Sequence, residues 1–230
     1  MPTRRVGWPQ AWRVIASRYP PINLFERLTG DTAVWEALMA LEQLTNPRVR
    51  DEAGDIALVP SDERVSGPGA SYVMAAFTHV NPRGSRFSDG SFGVYYAAAA
   101  AETAIAETVF HFEAFARDSG DPPRSEDMRV LVGTVAAAFE DVAALPAAQR
   151  AAIVDPESYV ASQRYAIQLR AAGANGVTYP SVRHAGGQCI GAFRPHAVGI
   201  PHQERHLKYR WNGERVDRYF DYERDEWCEL

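Results

Sequence analysis

Cysteine is scarce in this sequence: Cys189 and Cys228 are the only two in 230 residues. That count provides no disulfide framework and suits a reducing cytoplasm. Long apolar runs are missing too, and nothing approaches the ~20 consecutive residues that a membrane span requires. The opening MPTRRVGWPQAWRV is basic but lacks the apolar centre of ~7 to 15 residues and the cleavage-like site of a signal peptide. A cytoplasmic protein without membrane contact is the expectation. Nor is there a surplus of positive charge. Lys and Arg number 24 against 29 Asp and Glu, a net charge of −5, which argues against a direct, general nucleic-acid binder. A local basic pocket for a small anion is compatible with that balance.

The common catalytic signatures are absent as well. No GxGxxG or GxxxxGK[ST] occurs, so neither a Rossmann nor a P-loop nucleotide site is indicated. GASYV around Ser71 lacks the flanking glycines of a nucleophile elbow. HQERH places His202 and His206 four apart, but Gln203 stands where a metalloprotease needs its glutamate, so zinc has little support.

What is present is an ordinary globular composition, 46% hydrophobic and 23% charged, at a length that allows one or two domains. AWRVIASRY at 11–19 reads as a short strand ended by Pro20 and Pro21. A helix capped by Asp31 or Thr32 is expected to run to about Thr45, with Val34, Leu38, Leu41 and Leu44 on one face. Residues 47–69 are polar and broken by Gly and Pro, a surface insertion in which ALVP adds a short edge strand. ASYVMAAFTHV fits helix or strand. From Ala100 to Arg117 the stripe Ile105, Val109, Phe112 and Ala116 marks a helix. Residues 117–127 read as a loop and MRVLVGTVAA as a buried strand. A helix follows with Asp155 as N-cap, Pro156 at its first position and Gly173 at its C-terminal turn. GVTYPS and QCIGAF give two further strands, and Asn212-Gly213 signals a hairpin. Strands mixed with helices, without regular βαβ alternation, predict an α+β domain.

One stretch concentrates the chemistry. NPRGSRFSDGSFGVYYAAAAAETAIAETVFHFE, 81–113, passes from a glycine-rich loop with Arg83 and Arg86, through an aromatic strand with Tyr95 and Tyr96, into a helix carrying Glu102 and Glu107. Glu107 lies about 200° round the helix from Ile105 at ~100° per residue, on a second face beside Phe110 and His111. A carboxylate near aromatics can hydrogen-bond a sugar hydroxyl and stabilise positive charge developing on the ring. The planar guanidinium of Arg86, with a second arginine, suits a pyrophosphate. A second glycine-rich stretch, GANGVTYPSVRHAGG at 173–187, brings Tyr179, Ser181 and Arg183, and the two stretches are expected to face one cleft.

These segments resemble the RES-domain family, the toxin half of RES–Xre toxin–antitoxin pairs. GSRFSDGSFGVYYAAAAAETAIAE is similar to its central motif, in which a glutamate follows a strand-ending tyrosine by eleven residues, here Tyr96 and Glu107. AWRV resembles the opening strand and points to Arg13 as the first arginine, with Arg18 and Arg27 nearby as alternatives. TYPSVRHAGG resembles the C-terminal segment and points to Ser181, while Arg86 matches the arginine of the glycine loop. The resemblance implies an ADP-ribosyltransferase-like fold of mixed, mostly antiparallel sheets with several helices. It implies an enzyme that uses NAD+ as substrate, with no prosthetic group and no metal, by phosphorolysis or hydrolysis, or by ADP-ribose transfer to a protein. Glu107 is then expected to hold the ribose hydroxyls and Tyr96, with Tyr95 beside it, to pack on the ribose. Arg13 and Arg86 would hold the phosphates, and Ser181 would fix the ribose or an incoming nucleophile. An Xre-type antitoxin is the implied protein partner, and the oligomeric state is open. The competing class is an inactive module that binds a helix-turn-helix partner. One RES-type domain is expected over 1–230, with an insertion at about 47–69 and an added hairpin tail at about 196–230.

Overall fold

The computed structural model of the chain describes residues 2–19, 37 and 54–230. The helix expected from residue 31 to 45 therefore lies outside the described residues, save the helical Ala37. Strand β1, Thr3–Ala16, is longer than its apolar kernel and pairs antiparallel with the 18-residue β3, Arg124–Asp141. Pro9 sits inside β1 without breaking it. Between Trp8↔Val135 and Ala11↔Gly133 two residues of β1, Pro9 and Gln10, face one of β3. This bulge accommodates the residue that has no N–H to give the ladder.

β2, Tyr95–Ala98, joins β1 through Trp12↔Ala98, and β5, Gln188–Ala192, joins β2. β4, Gly176–Pro180, pairs with β5 and meets the end of β3 in the one parallel pairing among the described residues, Glu140↔Val177 and Asp141↔Thr178. Because β1 also pairs with β3, strands β1-β2-β5-β4-β3 form a closed ring, and three further strands, β6 (His202–Trp211), β7 (Val216–Asp221) and β8 (Glu226–Glu229), extend from the free side of β3. The domain is thus α+β with a mixed, mostly antiparallel sheet.

Alternation of side chains along the strands feeds two cores. Tyr95, Ala97 and Ile190 go to one, together with Val73, Met74 and Phe77 of helix α1, Ala70–Thr78. Ala98 and Cys189 go to the other, together with Ile105 and Val109 of α2, Ala101–Ser119, and Leu169 of a later helix, Val160–Ala171. The alanine run is divided between strand β2 and helix α2.

The ambiguous ASYVMAAFTHV is helix α1. ALVP is no strand: Ile56–Leu58 is a 3-10 turn, and Ile56 and Val59 enter the core that contains α1, so this part of the presumed surface insertion is packed. Residues expected to be loop before 127 already belong to β3, and PAAQRAAI contains a short helix, α3, Ala147–Ile153, that the sequence reading lacked. Asp155 is not the cap of the following helix. Its Oδ1 accepts the Glu157 and Ser158 N–H groups in an Asx turn, and α4, Val160–Ala171, starts later with Tyr159 as its N-cap. Gly173 follows with φ +84°.

The tail is no appendage. β6, His202–Trp211, pairs with β3 and buries Leu207, Tyr209 and Trp211 in the main core. At ~1.5–3 kcal/mol per large apolar side chain, those three make β6 part of what holds the domain together. β7, Val216–Asp221, and β8, Glu226–Glu229, complete the sheet. The β6–β7 connection is a four-residue loop, with the Asn212 side chain accepting the N–H groups of Glu214 and Arg215, where a two-residue turn at Asn212-Gly213 was expected. His202 and His206 lie in β6, where ~3.3 Å per residue sets them about 13 Å apart.

Candidate active site

Residues 81–94 are shaped by short-range bonds. Asn81 accepts the Arg83 N–H and donates to the Gly84 carbonyl, closing a turn. Gly84 has φ +75°, and a Cβ there would stand 2.5 Å from the Ser88 oxygen, so the turn requires glycine. From α4, the Gln163 amide donates to the carbonyls of Ser85 and Ser88. From β2, the Tyr96 hydroxyl meets Ser85 Oγ at 2.8 Å and accepts the Phe87 N–H at 3.0 Å. Burial pushes the Tyr96 phenol up to about 12. Tyr96 therefore acts as a neutral strut for the arginine loop.

Within that loop Arg83 is a surface residue near Asp118, whereas Arg86 is buried. One Arg86 nitrogen donates to the carbonyls of Ile153 and Asp155, and its guanidinium lies 4.6 Å over the Tyr159 ring. Arg86 still lines a cavity of about 240 Å³, together with Trp12, Arg13, Tyr96, Glu107, His111, Tyr179 and Cys189. Fourteen of the described residues line it, and five of them also line a larger neighbouring cavity of about 700 Å³: Arg13, Val14, Ser85, Tyr96 and Thr108. The larger one is walled by Tyr72, His79, Val80, Asn81 and Phe92, among others.

Arg13 stands between the two cavities. Its Nη1 donates to the Tyr96 carbonyl at 2.9 Å, and its guanidinium lies 4.6 Å over the Tyr95 ring. Its buried Nε has no hydrogen-bond partner, and it has no carboxylate partner among the described residues. Burial lowers its pKa, against the pull of Tyr95 and Tyr96. A half-buried cation that faces open space with no carboxylate beside it among the described residues is a prepared seat for an anion. Of the alternatives, Arg18 pairs with Glu126 and lines neither cavity, and Arg27 lies outside the described residues. Tyr95 also lines neither. It supports Arg13 from the core that contains α1.

Helix α2 presents Ala104, Glu107, Thr108 and His111 to the smaller cavity, while Ile105, Val109 and Ala116 face the core. Glu107 is thus at the cleft wall. Its Oε1 accepts the Ser181 hydroxyl at 2.6 Å, with the Cys189 thiol at 3.9 Å. Ser181 Oγ in turn accepts the backbone N–H groups of Arg183 and His184 at 3.1 and 3.0 Å. One donor and two acceptor sites are all that a serine hydroxyl has. Ser181 is saturated by protein, so it orients the carboxylate; the expected direct grip on ribose or nucleophile has no free valence on Oγ. Oε2 of Glu107 makes no hydrogen bond among the described residues and is the oxygen left for a ligand.

The second glycine-rich stretch does face the same cleft. Tyr179 lines it and packs edge-on against Phe87 with centroids 4.9 Å apart. Arg183 lies 3.3 Å over the Phe110 ring and donates to the Pro156 carbonyl. Trp12, Thr108, Cys189 and Gln163 also belong to the site or its support, and none was singled out from the sequence. Thr108 and His111 share the helix face of Glu107, which is a legible signal; Cys189 and Gln163 arrive through β5 and α4, which is not.

The fold and the cleft define a class of protein: an α+β domain in which a serine-oriented carboxylate and a guanidinium without a carboxylate partner among the described residues flank a cavity of about 240 Å³. The chain belongs to the RES-domain family, whose model, described as RES domain, matches residues 62–212. Arg13 precedes the matched segment, and β6 closes it. The uncharacterized protein y4oC of Sinorhizobium fredii (strain NBRC 101917 / NGR234) is 30% identical over 213 residues, covering 92% of this chain and 87% of the relative. Among solved structures, a chain in the crystal structure of the M. tuberculosis MbcT–MbcA toxin–antitoxin complex matches with a TM-score of 0.44 and 12% identity, covering 92% of this chain and 87% of that one. Among the described residues, no helix is long and apolar enough to cross a membrane.

Proposed function

We propose that this protein is a RES-type toxin with an ADP-ribosyltransferase-like fold that destroys NAD+ by cleaving the bond between nicotinamide and ribose, with phosphate or water as acceptor. The observation that carries this reading is Glu107: its carboxylate is fixed by Ser181 at 2.6 Å, and its other oxygen has no hydrogen-bond partner among the described residues, in a cavity that also holds Arg13 and Arg86.

Nicotinamide in NAD+ is a cationic leaving group and departs neutral, so the reaction needs no strong general acid. What it needs is stabilisation of the oxocarbenium-like ribose left behind. Glu107 Oε2 accepts the ribose hydroxyls and sets negative charge beside the developing cation, in a cavity whose low polarity strengthens the attraction. Trp12, Tyr96 and Tyr179 supply the aromatic wall. The pyrophosphate lies at Arg13, and the adenosine extends into the larger, apolar cavity. Arg86 contributes charge from a fixed position, because one of its nitrogens is already committed to carbonyls. A toxin with this activity requires an inhibitor made alongside it, and an Xre-type antitoxin that covers the cleft is the partner proposed.

Incubation of the purified protein with NAD+, with and without phosphate, tests the reading through product identification. Free nicotinamide with ADP-ribose or its 1-phosphate is the expected result. Label from NAD+ appearing on protein would turn the reading towards a transferase, and unchanged NAD+ would overturn it in favour of a binding module.

A further inference from the structure

Four residues of α2 line the smaller cavity, and the last of them has no part in the scheme above. His111 is one helical turn from Glu107, on the same face, so the two Cβ atoms are about 5–6 Å apart. Glu107 is half-buried, while His111 is exposed at the mouth, where a small molecule entering from solvent arrives. The imidazoles of His79, His184 and His206 are tied to Thr78, Thr103 and Ser17 respectively. The His111 ring touches Phe110 edge-on and makes no hydrogen bond among the described residues. Both of its nitrogens are therefore available as far as the described residues are concerned.

Resting on the proposed NAD+ cleavage, we propose that His111 is the general base for a neutral acceptor: it takes the proton of the water, or of an alcohol, that attacks the ribose carbon beside Glu107. The C–N bond to nicotinamide breaks and its electron pair leaves with nicotinamide. The water oxygen forms the new C–O bond at the ribose C1′, and its proton passes to an imidazole nitrogen and then to solvent. NAD+ and water thus give ADP-ribose, nicotinamide and one proton. An anionic acceptor such as phosphate or azide already carries the attacking electron pair and needs no such help.

The surroundings keep the imidazole in its basic, neutral form. Crowding by protein lowers the His111 pKa, and the guanidinium groups of Arg183 and Arg86 push the same way, while Glu107 on the same helix raises it. Arg183 approaches from the loop after β4, stacked on Phe110, and Arg86 from the glycine loop. A base with a pKa below ~6.5 is unprotonated at pH 7 and ready to accept.

The test compares acceptors in wild type and in His111→Ala and His111→Gln, with NAD+ as donor and water, methanol, phosphate or azide as acceptor. Wild-type hydrolysis should fall as the pH drops through the lowered His111 value. Both variants should lose hydrolysis and methanolysis by roughly 10²–10⁴-fold, the usual contribution of a positioned base. Added azide or phosphate should restore nicotinamide release and yield the ADP-ribosyl azide or 1-phosphate. Hydrolysis unchanged in the variants, or loss of all four acceptor reactions in equal proportion, overturns the role assigned to His111 while leaving NAD+ cleavage itself standing. If the wild type releases no nicotinamide with any acceptor, the NAD+ reading fails and this inference with it.

Discussion

Ser181 gives its only hydroxyl proton to Glu107 and receives two backbone N–H groups, from Arg183 and His184. The carboxylate is therefore aimed by a side chain that is itself aimed by a turn. Replacing Ser181 by Ala removes both functions at once. Two partly buried N–H groups lose their acceptor, which costs about 1–3 kcal/mol, and Glu107 is freed to rotate. We expect a lower Tm and a fall in kcat with a smaller change in KM, read by calorimetry and steady-state NAD+ consumption. An unchanged kcat in the Ser181→Ala protein would show that the turn matters for folding alone.

Glu107→Gln tests the charge without the geometry. Glutamine keeps an Oε1 that accepts the Ser181 proton, so the fold and the side-chain position should persist. The negative charge beside the ribose is lost, and turnover should fall by about 10²–10³-fold or more, the scale seen when a preorganised electrostatic group is removed. Circular dichroism and Tm serve as the control for folding. A folded Glu107→Gln protein with full turnover would end the assignment.

Much of this site was legible because it is local. Tyr96, Glu107 and the glycine loop are joined by one continuous stretch, and helix periodicity alone sets Glu107 opposite the Ile105 stripe. The roles within it were less legible. Ser181 reads as a ligand group until its two N–H partners fill its lone pairs, and those come from a turn that no spacing rule announces. Arg86 reads as free until Ile153 and Asp155 claim one of its nitrogens across more than sixty residues of sequence. The same holds for the fold. β6 looked like an added tail because its partner, β3, is distant in the chain, and only the pairing of Leu207 with Met128 shows it to be core. β1 likewise begins at Thr3 where the strand was read from residue 11, because a bulge absorbs Pro9.

Tyr96→Phe separates support of the loop from contact with substrate. The phenol holds Ser85 Oγ and the Phe87 N–H, and with its pKa raised to about 12 it stays protonated at pH 10. Phenylalanine keeps the ring and leaves the Phe87 N–H without its acceptor. A loss of about 1–3 kcal/mol should follow, which in a domain of this size is roughly 2–4 °C in Tm for each kcal/mol. Because the loop carries Arg86 and Ser85 into the cavity, KM for NAD+ should rise. A Tm and a KM both equal to wild type would remove Tyr96 from the account.

Arg13→Lys is not a conservative change at this position. The guanidinium donates to the Tyr96 carbonyl while lying flat over Tyr95, and an ammonium cannot do both. Losing a charge-assisted bond to the pyrophosphate is worth about 1.5–3 kcal/mol, or roughly 10–100-fold in KM. The kcat effect should be the smaller one, because Arg13 is assigned to binding. If KM is unmoved and only kcat falls, the phosphates do not rest on Arg13.

The two cysteines should differ sharply in reactivity, and the reason is physical. The thiolate is the reactive form, and Cys189 is held far from it, first by burial and then by the charge of Glu107. Only 2% of Cys189 is exposed, whereas Cys228 on β8 is half-buried at the sheet edge. Iodoacetamide at pH 8 should modify Cys228 in the native protein and spare Cys189, and denaturant should expose both, as read by mass spectrometry of the digested chain. Glu107→Gln sharpens the test. Because burial is the larger cause, Cys189 should stay protected when the neighbouring charge is gone. Rapid labelling of Cys189 in that variant would mean that Glu107, and not the packing around β5, is what keeps the thiol silent.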